Sequence, residues 1–144
     1  MKKIIISLIL SLTALLSVSA YAEDEITVTI NGTPLVSDVA PQIVNDRTML
    51  PMRAIFEALG ANVTWMGEDK LIFATKGDSM IVLQIDNPKM SVQKIGNDEN
   101  IGVNLDTPPY IKDDRTMVPV RAIAESLDAK VEWLGETKTV VITQ

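Results

Sequence analysis

Glu57 and Glu125 are the residues of this 144-residue chain whose chemistry and repetition first suggest catalysis. They close two near-identical stretches, "RTMLPMRAIFE" (47–57) and "RTMVPVRAIAE" (115–125), set 68 positions apart. Two carboxylates flanking a glycosidic bond are the machinery of glycoside hydrolysis, one as acid and the other as base or nucleophile. Each glutamate, however, stands four residues after an arginine, Arg53 or Arg121. On a helix that spacing makes a surface ion pair worth roughly 0.2–0.5 kcal/mol. An acid and a base also need unlike surroundings to hold unlike pKa values, and a repeat supplies like ones. Ion pairing is the expected role, and no catalytic residue is assigned.

Histidine and cysteine are absent from the sequence. Imidazole acid–base catalysis and Ser-His or Cys-His nucleophiles are thereby removed. The usual zinc and type-1 copper ligand sets go with them. "GNDENIG" (96–102) crowds Asp98, Glu99 and Asn100 in a way that raises calcium, but it lacks the alternating carboxylates and closing glutamate of an EF-hand loop. An exposed hairpin tip is the simpler expectation. No metal or cofactor is assigned.

Three further features bear on ligand binding. Asp46-Arg47-Thr48 and Asp114-Arg115-Thr116 are a duplicated polar motif. It could contact a ligand through the arginines, but turn chemistry at the aspartates fits better, each arginine pairing with a nearby carboxylate. Trp65 and Trp133 could form a sugar-stacking platform. By the period-two rule they share a strand face with Val63 and Val131, which argues for core packing instead. On that reading Trp133→Ala costs about 3–5 kcal/mol. Tyr110 is the remaining aromatic candidate. No ligand-binding residue is assigned.

The elements that must hold these residues follow from the repeat. Aligning 46–75 with 114–143 gives 17 identities in 30 positions. Pro51 and Pro119 suit the first turn of a helix. Met52, Ile55, Phe56 and Leu59 then recur at helical spacing, as do Val120, Ile123, Ala124 and Leu127. Gly60, and Asp128 in the second copy, stand where a left-handed C-terminal cap is wanted. "NVTWMGEDKLIFAT" (62–75) and "KVEWLGETKTVVIT" (130–143) read as hairpins. "ITVTINGTPLV" (26–36) alternates apolar residues up to Asn31-Gly32, a strong hairpin signal. "MIVLQIDNPKMSV" (80–92) reads as its counterpart, which leaves about 13 residues (93–105) extra in the second unit. Short strand pairs are expected over 41–51 and 108–119. The fold expected is α+β, with two quasi-repeats (about 23–76 and 77–144) of antiparallel hairpins packed on short helices and sharing one core. A unit of this size is marginal alone.

At the N-terminus, "MKK", an apolar run over 4–16 and "SVSAYA" have the form of a secretory signal peptide cut after Ala22. The alternative is an uncleaved anchor, since Ile4–Ala22 runs 19 residues without a charge. The expected mature domain is 23–144, with no stable membrane insertion once the peptide is removed. Taking Lys2 and Lys3 from the 13 basic residues leaves 11 against 19 acidic ones, a net charge of −8. Such a surface repels nucleic acid phosphates, so no nucleic-acid partner is expected.

The pattern D-R-T-M-x-P-x-R-A-I-x-E-x-L-x-A-x-V-x-W, as both copies carry it, resembles the copper amine oxidase N-terminal-like domain, common in secreted proteins of Gram-positive bacteria. The resemblance covers nearly all of 25–144. It implies an antiparallel sheet twisted around short helices and a stalk-type accessory role rather than oxidase chemistry. Asp128 and Ala124 depart from the family's more usual glycine and larger apolar residue. The function expected is a non-catalytic secreted or cell-envelope binding or scaffold module, not an enzyme. It would be extracellular or wall-associated, with a cell-envelope protein or glycan as partner. The alternatives are a small carboxylate-dependent hydrolase and a soluble ligand- or calcium-binding protein. With Gln144 as the last residue, a free small protein or a partner subunit is expected; the sequence fixes no oligomeric state.

Overall fold

A computed structural model describes residues 25–144; the expected signal peptide lies outside them. The elements in order are β1 (Thr27–Ile30), β2 (Thr33–Pro34), β3 (Gln42–Val44), β4 (Arg47–Pro51), α1 (Met52–Ala58), β5 (Asn62–Met66), β6 (Leu71–Lys76) and β7 (Ser79–Gln84). There follow β8 (Lys89–Lys94), β9 (Asn100–Asn104), β10 (Tyr110–Lys112), β11 (Arg115–Pro119), α2 (Val120–Ser126), β12 (Lys130–Leu134) and β13 (Thr139–Thr143).

The tight turns carry the local logic. Asn31-Gly32, Asn45-Asp46 and Asp113-Asp114 each place two consecutive residues at positive φ, between 48° and 81°. Two left-handed residues in a row give the hairpin turn whose twist matches that of paired strands. Asn, Asp and Gly are the residues that enter that region at least cost. The aspartates of the duplicated Asp-Arg-Thr motif are therefore turn residues. Pro51 and Pro119 come one position earlier than expected, closing β4 and β11 as the helix N-caps. Each helix has seven residues and turns one apolar face inward: Met52, Ile55 and Phe56 in α1, Val120, Ile123 and Ala124 in α2. Gly60 (φ 79°) and Asp128 (φ 62°) both adopt the left-handed cap.

The α+β expectation is overturned. Half of the described residues are strand and 12% helix, in three sheets with only two helices. The helical periodicity was real but short, and seven residues span only about 10 Å. Strand pairing, not helix packing, carries the architecture.

The sheets run β12-β13-β1-β2, β10-β11-β4-β3 and β5-β6-β7-β8-β9. In the second of these, β4 and β11 pair antiparallel with Leu50 opposite Val118. These two positions are equivalent in the repeat, so a local two-fold relation passes between them. Met49, Leu50, Met117 and Val118 are all buried there.

The extra strand of the second unit is not at 93–105. Val28 and Ile30 are buried on β1, as Met90 and Val92 are on β8. Ile30 pairs with Thr33 on β2, as Val92 pairs with Ile101 on β9. β7 buries Ile81 and Leu83 in the same way. However, β1 runs parallel to β13 as β8 does to β6, so the β8–β9 hairpin is the counterpart of β1–β2 and β7 is the addition. The reason is connectivity. β1 lies parallel beside β13, an arrangement free to form because the two strands stand at opposite ends of the described chain. β8 also runs parallel to β6, but it follows soon after it in sequence. A direct parallel neighbour would need a crossover of a dozen or more residues. β7, antiparallel to both, returns the chain through short turns.

One apolar cluster draws on both units, including Ile30, Leu50, Phe56, Ile72, Ile81, Ile123 and Ile142. No helix among the described residues is long and apolar enough to cross a membrane.

Candidate functional site

A groove of about 720 Å³ opens beside α2. Val120, Arg121 and Glu125 of that helix form one side, with Val131 and Trp133 of β12 and Val140 of β13 next to them. The opposite side is contributed by Ile43, Arg47 and Thr48 of the β3–β4 hairpin and by Leu105, Asp106 and Thr107 after β9. Both units thus contribute walls.

Four of its five charged groups are tied in pairs. Arg47 Nε donates to Asp106 Oδ2 at 2.8 Å, and its Nη2 makes a second, shorter contact with the same oxygen. Arg121 Nη1 donates to Glu125 Oε1 at 3.1 Å and to the Val131 carbonyl at 3.3 Å, joining α2 to β12. The buried Thr107 hydroxyl donates to the Val44 carbonyl at 3.0 Å, which fixes the Asp106 segment against β3.

Arg47–Asp106 has a mate across the local two-fold. Arg115 Nε donates to Asp38 Oδ2 at 2.7 Å, and Nη2 lies 2.5 Å from the same oxygen. The hydrogen bond from Arg115 holds the Asp38 carboxyl below its ordinary value, and the same bond raises the Arg115 pKa. Each unit's arginine therefore clasps the other unit's aspartate, 59 and 77 residues away in the chain. Sequence reading missed Asp38 and Asp106. The signal was present, because they too stand 68 apart and carrying the alignment upstream would have matched them. On the same axis, Tyr110 OH donates to Gln42 Oε1 at 3.1 Å, between equivalent positions. Partial burial raises the pKa of that phenol.

The two repeated glutamates are not brought together as a catalytic pair. Glu125 lines the groove, whereas Glu57 does not and lies 3.9 Å from Arg53 on α1. At the 96–102 tip, Asn97 accepts the Glu99 backbone N–H at 3.1 Å and donates to its carboxylate at 3.3 Å, while Asn100 accepts from Ser91 Oγ at 2.6 Å. These side chains satisfy one another, and among the described residues no three acidic side chains converge as a cation site.

The tryptophans differ, and here the core assignment fails for one of them. Trp65 is partly buried and packs against the apolar cluster. Trp133 is 46% exposed, although Val131 on the same face is buried. Sharing a strand face with a core residue did not guarantee a cover over the ring. At the equivalent positions the first unit carries the larger side chains, Met52 for Val120 and Ile72 for Val140, and all four are buried.

Residues 29–142 match the model of a family described as the copper amine oxidase N-terminal domain. No curated protein matches the chain.

Proposed function

We propose, from the premise that this chain belongs to the copper amine oxidase N-terminal domain family, that it is a binding module of the cell surface. The family's domain is accessory and non-catalytic in itself. The signal-peptide pattern of the first 22 residues directs the chain out of the cytoplasm, where its partner is a component of the envelope. The observation that carries this reading is the groove beside α2. It offers a half-exposed indole beside two ion pairs, Glu125 held by Arg121 and Asp106 by Arg47, with Asp46 on the same wall. Such a site can hold a ligand through stacking and hydrogen bonds. It supplies no pair of carboxylates left free to act as acid and base.

The test is retention on isolated cell-wall sacculi. The chain is expected to sediment with them and to release no soluble sugar. Release of reducing ends would make it a hydrolase, and failure to sediment would remove the wall as its partner.

A further inference from the structure

We propose that the groove beside α2, walled by both units and floored by the open Trp133 of the second, is a saccharide site, and that it takes an uncharged, polyhydroxylated chain. This rests on the binding-module reading and names its ligand class. The volume, about 720 Å³, is that of a small-molecule pocket, for which the usual range is about 300–1,000 Å³. The Trp133 indole, 46% exposed, presents an apolar ring together with an N–H donor. A pyranose has the matching character, a C–H face with a rim of hydroxyls.

Charge selects among sugars. Arg47 and Arg121 stand against Asp46, Asp106 and Glu125 on the groove wall. An anionic ligand would have to displace Asp106 or Glu125 from its arginine, in a chain that is already acidic. Hydroxyl groups both donate and accept. They can use the outward lone pairs and N–H groups of the exposed ion pairs without breaking them.

The first unit is the internal control. It keeps Arg53, Glu57 and Trp65, so the repeat preserves the polar groups and the ring. There, however, Met52 is buried in place of Val120, Ile72 in place of Val140, and Trp65 packs against the core. The repeat thus carries larger side chains in the unit where Trp65 is partly buried and smaller ones in the unit where Trp133 is open.

The experiment titrates the full chain with neutral tetramers of glucose and of N-acetylglucosamine, read by tryptophan fluorescence and calorimetry. Binding of at least one tetramer is expected, with little dependence on salt. A galacturonate tetramer should bind at least about 10-fold more weakly, since it must break an ion pair. Trp133→Ala should lose about 10-fold or more in affinity, while Trp133→Tyr retains most of it. Neutral-tetramer affinity unchanged in Trp133→Ala, or a preference for galacturonate, overturns the inference. So does retention on sacculi with no affinity for either neutral tetramer, an outcome that leaves the wall-binding module standing. Tetramer binding with no retention on sacculi does the reverse: the saccharide site survives and the wall partner does not.

Discussion

The two units use one backbone plan and distribute volume differently over it. Turn aspartates, cap positions and the Arg–Glu helix pairs recur at the 68-residue spacing. The buried side chains do not: Phe56 faces the core from α1 where α2 has Ala124, and both are wholly buried. Residues that set φ and ψ are hard to exchange because few side chains tolerate left-handed backbone. Core residues can trade volume between facing positions so long as the total is kept. Duplication thus left the frame alone and let one unit fill while the other opened.

The sharpest way to break this comparison is to make the filled unit resemble the open one. Phe56→Ala should cost about 3–5 kcal/mol in urea denaturation, because α1 supplies the larger share of the common core. The converse, Ala124→Phe, should cost about 1–3 kcal/mol by overpacking. Negligible cost from either would mean that the volumes are not shared. Next come the tryptophans. Trp65→Ala is expected to lose about 1–2 kcal/mol, and Trp133→Ala less than about 1 kcal/mol, well below the value that full burial would give. Equal losses would close the groove as a distinct feature.

The caps give a smaller effect. Asp128→Gly should stabilise by up to about 1 kcal/mol, because glycine takes positive φ without penalty. The Lys94 contact that it removes, at 3.5 Å and exposed, offsets little of this. Gly60→Ala should destabilise by about 1 kcal/mol, and calorimetric midpoints of the two variants should move in opposite directions.

The smallest effect is one of pH. The Asp38 carboxyl is depressed below 3.8 by its bond from Arg115. Its contribution to stability is therefore fully present above that value and is lost as pH falls through the depressed one. An acid titration of Asp38→Asn should show a shallower loss of stability below pH 3.8 than the parent chain. Identical acid limbs would mean that Arg115 does not hold the Asp38 carboxylate in solution.

Much of the local structure was legible. Asn-Gly and Asp-Asp turns, the starts of both helices and the left-handed caps are decided by residues within a few positions of each other. The assignment of the added strand went wrong because 80–92 and 26–36 look alike as hairpins. Only the strand directions reveal that β8, not β7, answers β1. The candidate site was half legible: Trp133, Arg47 and Glu125 were singled out, but Asp106 was missed and Trp133 was placed in the core.

By itself the sequence determined the repeat, the turns, the two helices and the lack of imidazole and thiol chemistry, since all of these depend on residue type and near-neighbour backbone geometry. The tertiary structure alone decided that β1 and β13 run side by side, that each arginine crosses to the other unit's aspartate, and that Trp133 lies open. Those outcomes depend on what stands opposite a face across space. Periodicity tells which side chains point together, and only the packed neighbours tell whether anything covers them.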